Sequence, residues 1–128
     1  MDEEGGTVAD CVALFEWAVA VVRRPQGKAA LEQLAASIEA CGGVAKAYAV
    51  DARQEDAVHE LVETVEDELG PVDVLVHNIG ANVRFTLGDT SARVFYKVWE
   101  MATFSAFLSA RAVAARMEAR GRGTVILT

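Results

Sequence analysis

Apolar runs and helical stripes alternate along almost the whole chain, and that alternation constrains the fold more than any other feature. Trp17 to Val22, WAVAVV, is a continuous apolar run closed by Arg23-Arg24-Pro25. It has no polar face and predicts a buried strand. Lys28 to Ala40 repeats at helical spacing, with Leu31, Leu34, Ala35 and Ile38 on one stripe, and Gly42-Gly43 offers a left-handed stop. Val44 to Val50 predicts the next strand. Gln54 to Leu69 predicts a helix whose apolar face is Val58, Leu61, Val62, Val65 and Leu69. Glu60, Glu63, Glu66, Asp67 and Glu68 fall mostly elsewhere and read as a solvated acidic face. Gly70-Pro71 breaks that helix, and Val72 to Val76 predicts a strand. A long helical pattern from about Ser91 to Ala119 follows, with Asp89 or Thr90 as its N-cap. Arg120-Gly121-Arg122-Gly123 closes it, and Thr124 to Leu127, TVIL, predicts a last buried strand. Thr7 to Phe15 predicts a short helix ahead of all these.

Strands separated by helices imply parallel β-α-β units, hence an α/β layered sheet with helices on both faces. The 128 residues suit one domain spanning 1–128, and an apolar fraction of 52% suffices for a core. A net charge of −7 argues against nucleic acid and anionic membranes, which require a basic patch. The acidic start MDEEGG is unlike a secretory leader, and the apolar run from Cys11 to Val22 is too short to span a bilayer. A soluble, cytoplasmic protein is expected. Cys11 and Cys41 sit in no metal-ligand spacing and read as reduced core thiols; no metal site is expected. His59 reads as a surface histidine.

In open α/β sheets, ligands bind beyond the carboxyl ends of the strands. The stretch VDVLVHNIG puts Asn78 and Gly80 there. Asn78 offers a donor and an acceptor, and Gly80 lets a ligand approach the backbone. A plain turn at Asn78 and Gly80 accounts for the same residues equally well.

The segments AYAVDARQEDAV, ELGPVDVLVHNIGANV and RGRGTVIL, in this order, resemble the short-chain dehydrogenase/reductase family. Asp51-Ala52 matches the family's strand ending in Asp and a small residue. His77-Asn78-Ile79-Gly80 stands where the family has Asn-Asn-Ala-Gly, and Gly121 to Leu127 matches its glycine-rich turn into the fifth strand. The resemblance runs from about Ala18 onward. It implies a partial Rossmann-like three-layer sandwich with a mainly parallel sheet, binding NAD or NADP. It implies that Asp51 and Ala52 contact the adenine and that Asn78 and Gly80 lie along the adenosine ribose. It places Arg23 and Arg24 where the family selects its cofactor, and two arginines there favour the 2′-phosphate of NADP over NAD; the alternative is ordinary surface charge at a strand end.

The departures from the family matter as much. Only Met1 to Gly6 stand where its first strand and Thr-Gly-x-x-x-Gly-x-Gly turn belong, with Gly5-Gly6 as a slender match to the last glycine. Without that turn the backbone cradle for the pyrophosphate is lost, so weak cofactor binding is expected. No Tyr-x-x-x-Lys occurs: Ala52 stands four residues after Tyr48 and Glu100 four after Tyr96, while Tyr96 and Lys97 are adjacent and diverge on a helix. The helix position that often carries a catalytic Asn matches Ala102. Ser105 and Ser109 have no histidine base at a useful spacing and read as helix-packing hydroxyls. No catalytic residue is therefore assigned. The expectation is a family member cut at both ends and without turnover, an NAD(P)-dependent oxidoreductase by resemblance. The alternatives are a non-catalytic nucleotide-binding or protein-interaction module, or a non-functional fragment. The helix near Ser91–Ala119 is apolar on more than one side, and the family commonly dimerises there, so a homodimer is expected.

Overall fold

The computed structural model describes residues 17–80 and 84–128. The predicted helix at Thr7 to Phe15, Cys11 and the Gly5-Gly6 pair lie outside the described residues. The chain divides into two compact units, Met1–Asp51 and Ala52–Thr128. Among the described residues the strands pair in parallel as two two-stranded sheets, so the architecture is α/β and partial Rossmann-like. Among the described residues no helix is long and apolar enough to cross a membrane.

The first unit runs β1 (Ala18–Arg23), a 3-10 turn (Pro25–Gly27), α1 (Lys28–Ala40) and β2 (Val44–Ala49). Pro25 suits the first position of the turn, where its missing N–H costs nothing. The end of α1 shows why two glycines follow it. Gly43 N–H donates to Ile38 O at 3.0 Å and Gly42 N–H to Glu39 O at 2.9 Å, which ties off two orphan carbonyls. Gly42 makes that closure at φ +87, a conformation that disfavours side chains. Ala35, Ile38 and Ala45 form the core, with Val21 and Ala47 packed on it. β1 and β2 are in register from Ala18↔Val44 to Arg23↔Ala49.

Three expectations fail in this unit. β1 is not fully buried: Trp17 before it is 56% exposed and Val22 is 40% exposed. Its apolar run has one partner strand, and within this unit one described helix to cover one face. Leu34, placed on the α1 stripe, is 38% exposed. Cys41 is exposed, because it caps the helix beyond the last buried turn at Ile38.

The second unit runs α2 (Glu55–Leu69), β3 (Val74–His77), α3 (Ala92–Trp99), a π-helical segment (Glu100–Phe104), α4 (Ser105–Arg120) and β4 (Thr124–Leu127). Val58 and Val62 from α2 meet Ala112, Val113 and Met117 from α4, with Ala52, Val72 and Leu75 packed against them. Glu55 and Asp56 in the first turn of α2 complement its helix dipole. The acidic face of α2 is not simply solvated. Arg116 and Arg120 of α4 bind Glu66 at 2.9 and 3.0 Å, Arg116 reaches Glu63 at 3.4 Å, and Arg111 pairs with Glu55. Arg120 also donates to Val72 O at 2.7 Å, and Val72 N–H donates to Glu66 at 3.2 Å. Burial alone would raise the Glu66 carboxyl. The hydrogen bonds from Val72, Arg120 and Arg116 together outweigh it and hold the pKa below the ordinary value.

That network also explains why β3 begins at Val74 and not at Val72. Val72 is held by Glu66 and Arg120, and the ladder starts only where Thr124 N–H reaches Asp73 O at 2.9 Å. The N-cap of α3 is Ser91, whose hydroxyl accepts from Val94 N–H at 3.3 Å, and not Asp89 or Thr90. Both of those side chains serve the preceding turn: Thr86 donates to Asp89 at 2.6 Å, and Thr90 donates to Thr86 O at 2.8 Å. The long helix is interrupted at Glu100–Phe104. β4, expected to be buried, is exposed throughout, with Val125 at 38% and Leu127 at 58%. It has one ladder neighbour, β3. Along β3, Leu75 joins the helical core while Val76, alternating away from it, is 58% exposed.

Candidate functional site

The six positions singled out from sequence fall into two sets. Arg23, Arg24 and Asp51 belong to the first unit; Ala52, Asn78 and Gly80 belong to the second. In each unit the parallel pairing decides where they stand.

In the first unit, Arg23 ends β1 and Arg24 caps the 3-10 turn. β2 runs alongside, and Val50 N–H donates to Arg23 O at 2.9 Å, which extends the ladder one step past the strands. Asp51 is the next residue, half-buried. Two arginines and a carboxylate therefore share the carboxyl edge of one parallel pair. Both arginines are exposed. The Arg23 side chain lies over Gly27, where an added Cβ would meet Arg23 Cδ at 2.5 Å. Glycine at 27 thus makes room for the folded-back Arg23 stem.

In the second unit, Asn78 follows β3 and Thr128 follows β4. Thr128 N–H donates to His77 O at 3.2 Å, and Thr128 Oγ1 donates to Asn78 Oδ1 at 2.9 Å. That bond uses the amide's acceptor, and its NH2 group projects from an exposed residue. Among the described residues nothing lies within 4 Å of a Cβ built on Gly80, and its φ is outside the left-handed range. Neither backbone conformation nor packing calls for glycine here, so the residue leaves the backbone uncovered. Ala52 is different: it packs on the core between α2 and α4.

Sequence reasoning missed one pair. His77 and Ser105 are 28 residues apart, yet Ser105 Oγ lies 3.1 Å from His77 Nε2. Ser105 therefore does have a histidine within reach. Both residues are buried, Ser105 at 0% and His77 at 4% exposure. Ser105 Oγ also lies 2.5 Å from Met101 O and 3.5 Å from Ala102 O, inside the π-helical segment. The available signal was His77 itself, a bulky imidazole where the resembling motif has its first Asn.

No Tyr-x-x-x-Lys occurs in the 128 residues. Tyr96 is 59% exposed and packs its ring 5.8 Å from that of Trp99. For the cofactor, the residues present fit one end of the molecule. The arginines suit a phosphate and Asp51 a polar base edge, each at the carboxyl edge of a parallel pair.

A family model for short chain dehydrogenase matches residues 5–128. L-rhamnose 1-dehydrogenase (NAD(P)(+)) of Azotobacter vinelandii is 33% identical over 102 residues, covering 80% of this chain and 40% of that protein. The crystal structure of a short-chain type dehydrogenase/reductase from Mycobacterium marinum matches with a TM-score of 0.83 at 30% identity, over 92% of this chain and 47% of that one. NAD+-bound xylitol dehydrogenase matches with a TM-score of 0.81 at 28% identity, over 91% and 45%. The chain spans less than half the length of these relatives. Parallel strands linked by helices, the Asp51-Ala52 and Asn78-x-Gly80 positions at their carboxyl ends and a family match over residues 5–128 agree: the chain belongs to the short-chain dehydrogenase/reductase family.

Proposed function

We propose that residues 1–128 form one partial NAD(P)-binding domain that holds the adenosine end of the cofactor, with NADP preferred over NAD. The observation that carries this reading is the parallel pairing of β1 and β2, which brings Arg23, Arg24 and Asp51 to one carboxyl edge. In the first unit Arg23 and Arg24 pair with the 2′-phosphate and Asp51 contacts the adenine; in the second, Ala52, Asn78 and Gly80 keep the positions that the family gives to adenine and ribose contacts. Two relatives support the cofactor class, an NAD(P)(+) dehydrogenase and an NAD+-bound xylitol dehydrogenase. When bound in a complete family member, the cofactor supplies hydride transfer to or from an alcohol or carbonyl. These 128 residues contain no Tyr-x-x-x-Lys to move the accompanying proton, so we assign the chain binding without turnover, in the cytoplasm.

Titration of the purified chain with NADP and NAD, followed by cofactor fluorescence or calorimetry, tests the reading. Binding should be weak, and Arg23→Ala or Arg24→Ala should weaken NADP by roughly tenfold while leaving NAD nearly unchanged, the loss expected for one charge-assisted hydrogen bond. Equal loss for both cofactors would remove the phosphate assignment. Affinity typical of a complete dehydrogenase, or cofactor-dependent carbonyl reduction, would overturn the reading of the N-terminus and of the missing pair.

A second reading, a protein-interaction module, is favoured by the aromatic row on α3 and α4. Tyr96, Trp99, Phe104 and Phe107 follow one another with ring centroids 5.8 to 6.4 Å apart. Phe95, Tyr96, Trp99 and Phe107 are all exposed. A homodimer through this helix covers such a row.

A further inference from the structure

His77 is a junction. Its backbone carbonyl accepts from Thr128 N–H, which fixes the ends of β3 and β4 to each other. Its ring reaches the other way, to Ser105 Oγ at 3.1 Å and to the Ala102 carbonyl. Ser105 closes the arrangement by reaching Met101 O at 2.5 Å. The carbonyls of Met101 and Ala102 lie in the π-helical segment: Ser105 N–H donates to Glu100 O and Ala102 O, and Met101 O, which that amide bypasses, takes the Ser105 hydroxyl.

We propose that His77 and Ser105 form a proton-responsive latch, which ties the carboxyl end of β3 to the π-helical segment Glu100–Phe104 and opens on acidification. This does not rest on the cofactor reading. The Ser105 hydroxyl has one proton and three acceptors in reach: Nε2, Met101 O and, farthest, Ala102 O. With Nε2 unprotonated, the hydroxyl can donate to any of them. With an imidazolium, Nε2–H must donate to Ser105 Oγ, and the hydroxyl proton is confined to the backbone carbonyls. The charged ring is then buried with only neutral acceptors, a costly arrangement.

The charged groups on the surrounding elements do not relieve that cost. The π segment has only Glu100, which pairs with Arg53 at 3.6 Å. β4 has none. On α3 there are Arg93 and Lys97, and on α4 Arg111, Arg116, Arg120 and Glu118. Burial lowers its pKa below the ordinary 6.5, and the hydrogen bond to Ala102 opposes this in part. A depressed histidine adds stability that is full above its unfolded pKa and is lost as pH falls from there through the folded pKa. The latch therefore weakens below about pH 6.5, by roughly tenfold in its opening constant for each unit by which the folded pKa is depressed.

Amide hydrogen exchange and histidine NMR on the purified chain between pH 7.5 and about pH 5 test this. Corrected for intrinsic rates, protection at Met101–Ser105 and Asn78 should fall as the His77 ring titrates, while protection in α2 holds. In His77→Asn, which keeps a polar side chain without a titration in this range, the step should vanish. Ser105→Ala should move the His77 midpoint. A wild-type profile without the step, a step that survives in His77→Asn, or a His77 midpoint unmoved in Ser105→Ala would each overturn the latch.

Discussion

Helix α4 has two faces that differ in everything but their backbone. One turns Ala112, Val113 and Met117 into the core against α2, and its arginines close over the rim on Glu55, Glu63 and Glu66. The other carries Phe107, 53% exposed, at the end of an aromatic row that begins at Tyr96. Both faces are rich in apolar atoms. The first has found a partner within the chain, complete with matched polar groups at its edge; at the second, Arg111, which also pairs with Glu55, lies over Phe107 at 4.9 Å, and Phe107 meets the ring of Phe104. Apolar content alone therefore does not say what a helix face is for. The accompanying polar residues do: interlocked ion pairs mark a face already satisfied.

The contrast breaks most sharply at Met117. It is 7% exposed, and its side chain fills the space above Gly123, where an added Cβ would meet Met117 Cγ at 2.3 Å. Met117→Ala should cost about 3 kcal/mol, transfer and cavity terms together, measured by urea unfolding. That is a large share of a stability of about 5–15 kcal/mol. A loss under about 1 kcal/mol would mean that Gly123 and α2 collapse into the space and that this face is less committed than its contacts imply.

Next in size is Glu66, where three donors meet one carboxylate. Glu66→Gln keeps the shape and removes the charge, and should cost about 2 kcal/mol, as expected for charge-assisted bonds in a part-buried site. Because the folded pKa is lowered, the carboxylate's contribution is full above the unfolded value near 4.5 and is lost as pH falls through the folded pKa. Unfolding midpoints should thus decline below about pH 4.5 in the wild type and more shallowly in Glu66→Gln. Parallel curves would move the acid sensitivity elsewhere.

Glu66 also shows where a sequence stops being legible. Spacing places α1 to the residue, starts α2 one residue early at Gln54, and locates all four strands to within two residues, because apolar periodicity is a local signal. The carboxyl-edge positions of Arg23, Asp51 and Asn78 follow from the same signal once the strands are parallel. Periodicity is silent on partners distant in the chain. Glu66 reads as surface until Arg116 and Arg120 arrive from 50 and 54 residues away. The π segment hides because five residues of wider helix hardly disturb a stripe, and the His77–Ser105 pair that holds it spans two elements. Exposure of β4 is equally unreadable, since TVIL has the composition of a covered strand and only its neighbours decide whether it is one.

The smallest effect on folding belongs to the other face, and it sharpens the comparison. Phe107→Glu removes an exposed ring and its contact with Arg111. It also puts a carboxylate four residues before Arg111, the favourable order for a helical ion pair, so the two changes offset. Urea unfolding should shift by no more than about 0.5 kcal/mol, as for an exposed site. If the aromatic row is where two copies meet, sedimentation should show a discrete dimer in the wild type and a monomer in Phe107→Glu at the same concentration. A charge in the middle of an apolar contact has to be desolvated, a cost that an ion pair with Arg111 offsets only in part. Aggregation without stoichiometry in the wild type, cured by the same substitution, would instead identify an uncovered patch. A wild type that stays monomeric at high concentration would refute the interface and leave the row as exposed surface. Large cost at Met117, little cost at Phe107 and a change of assembly only at Phe107 is the pattern that the two faces of α4 demand.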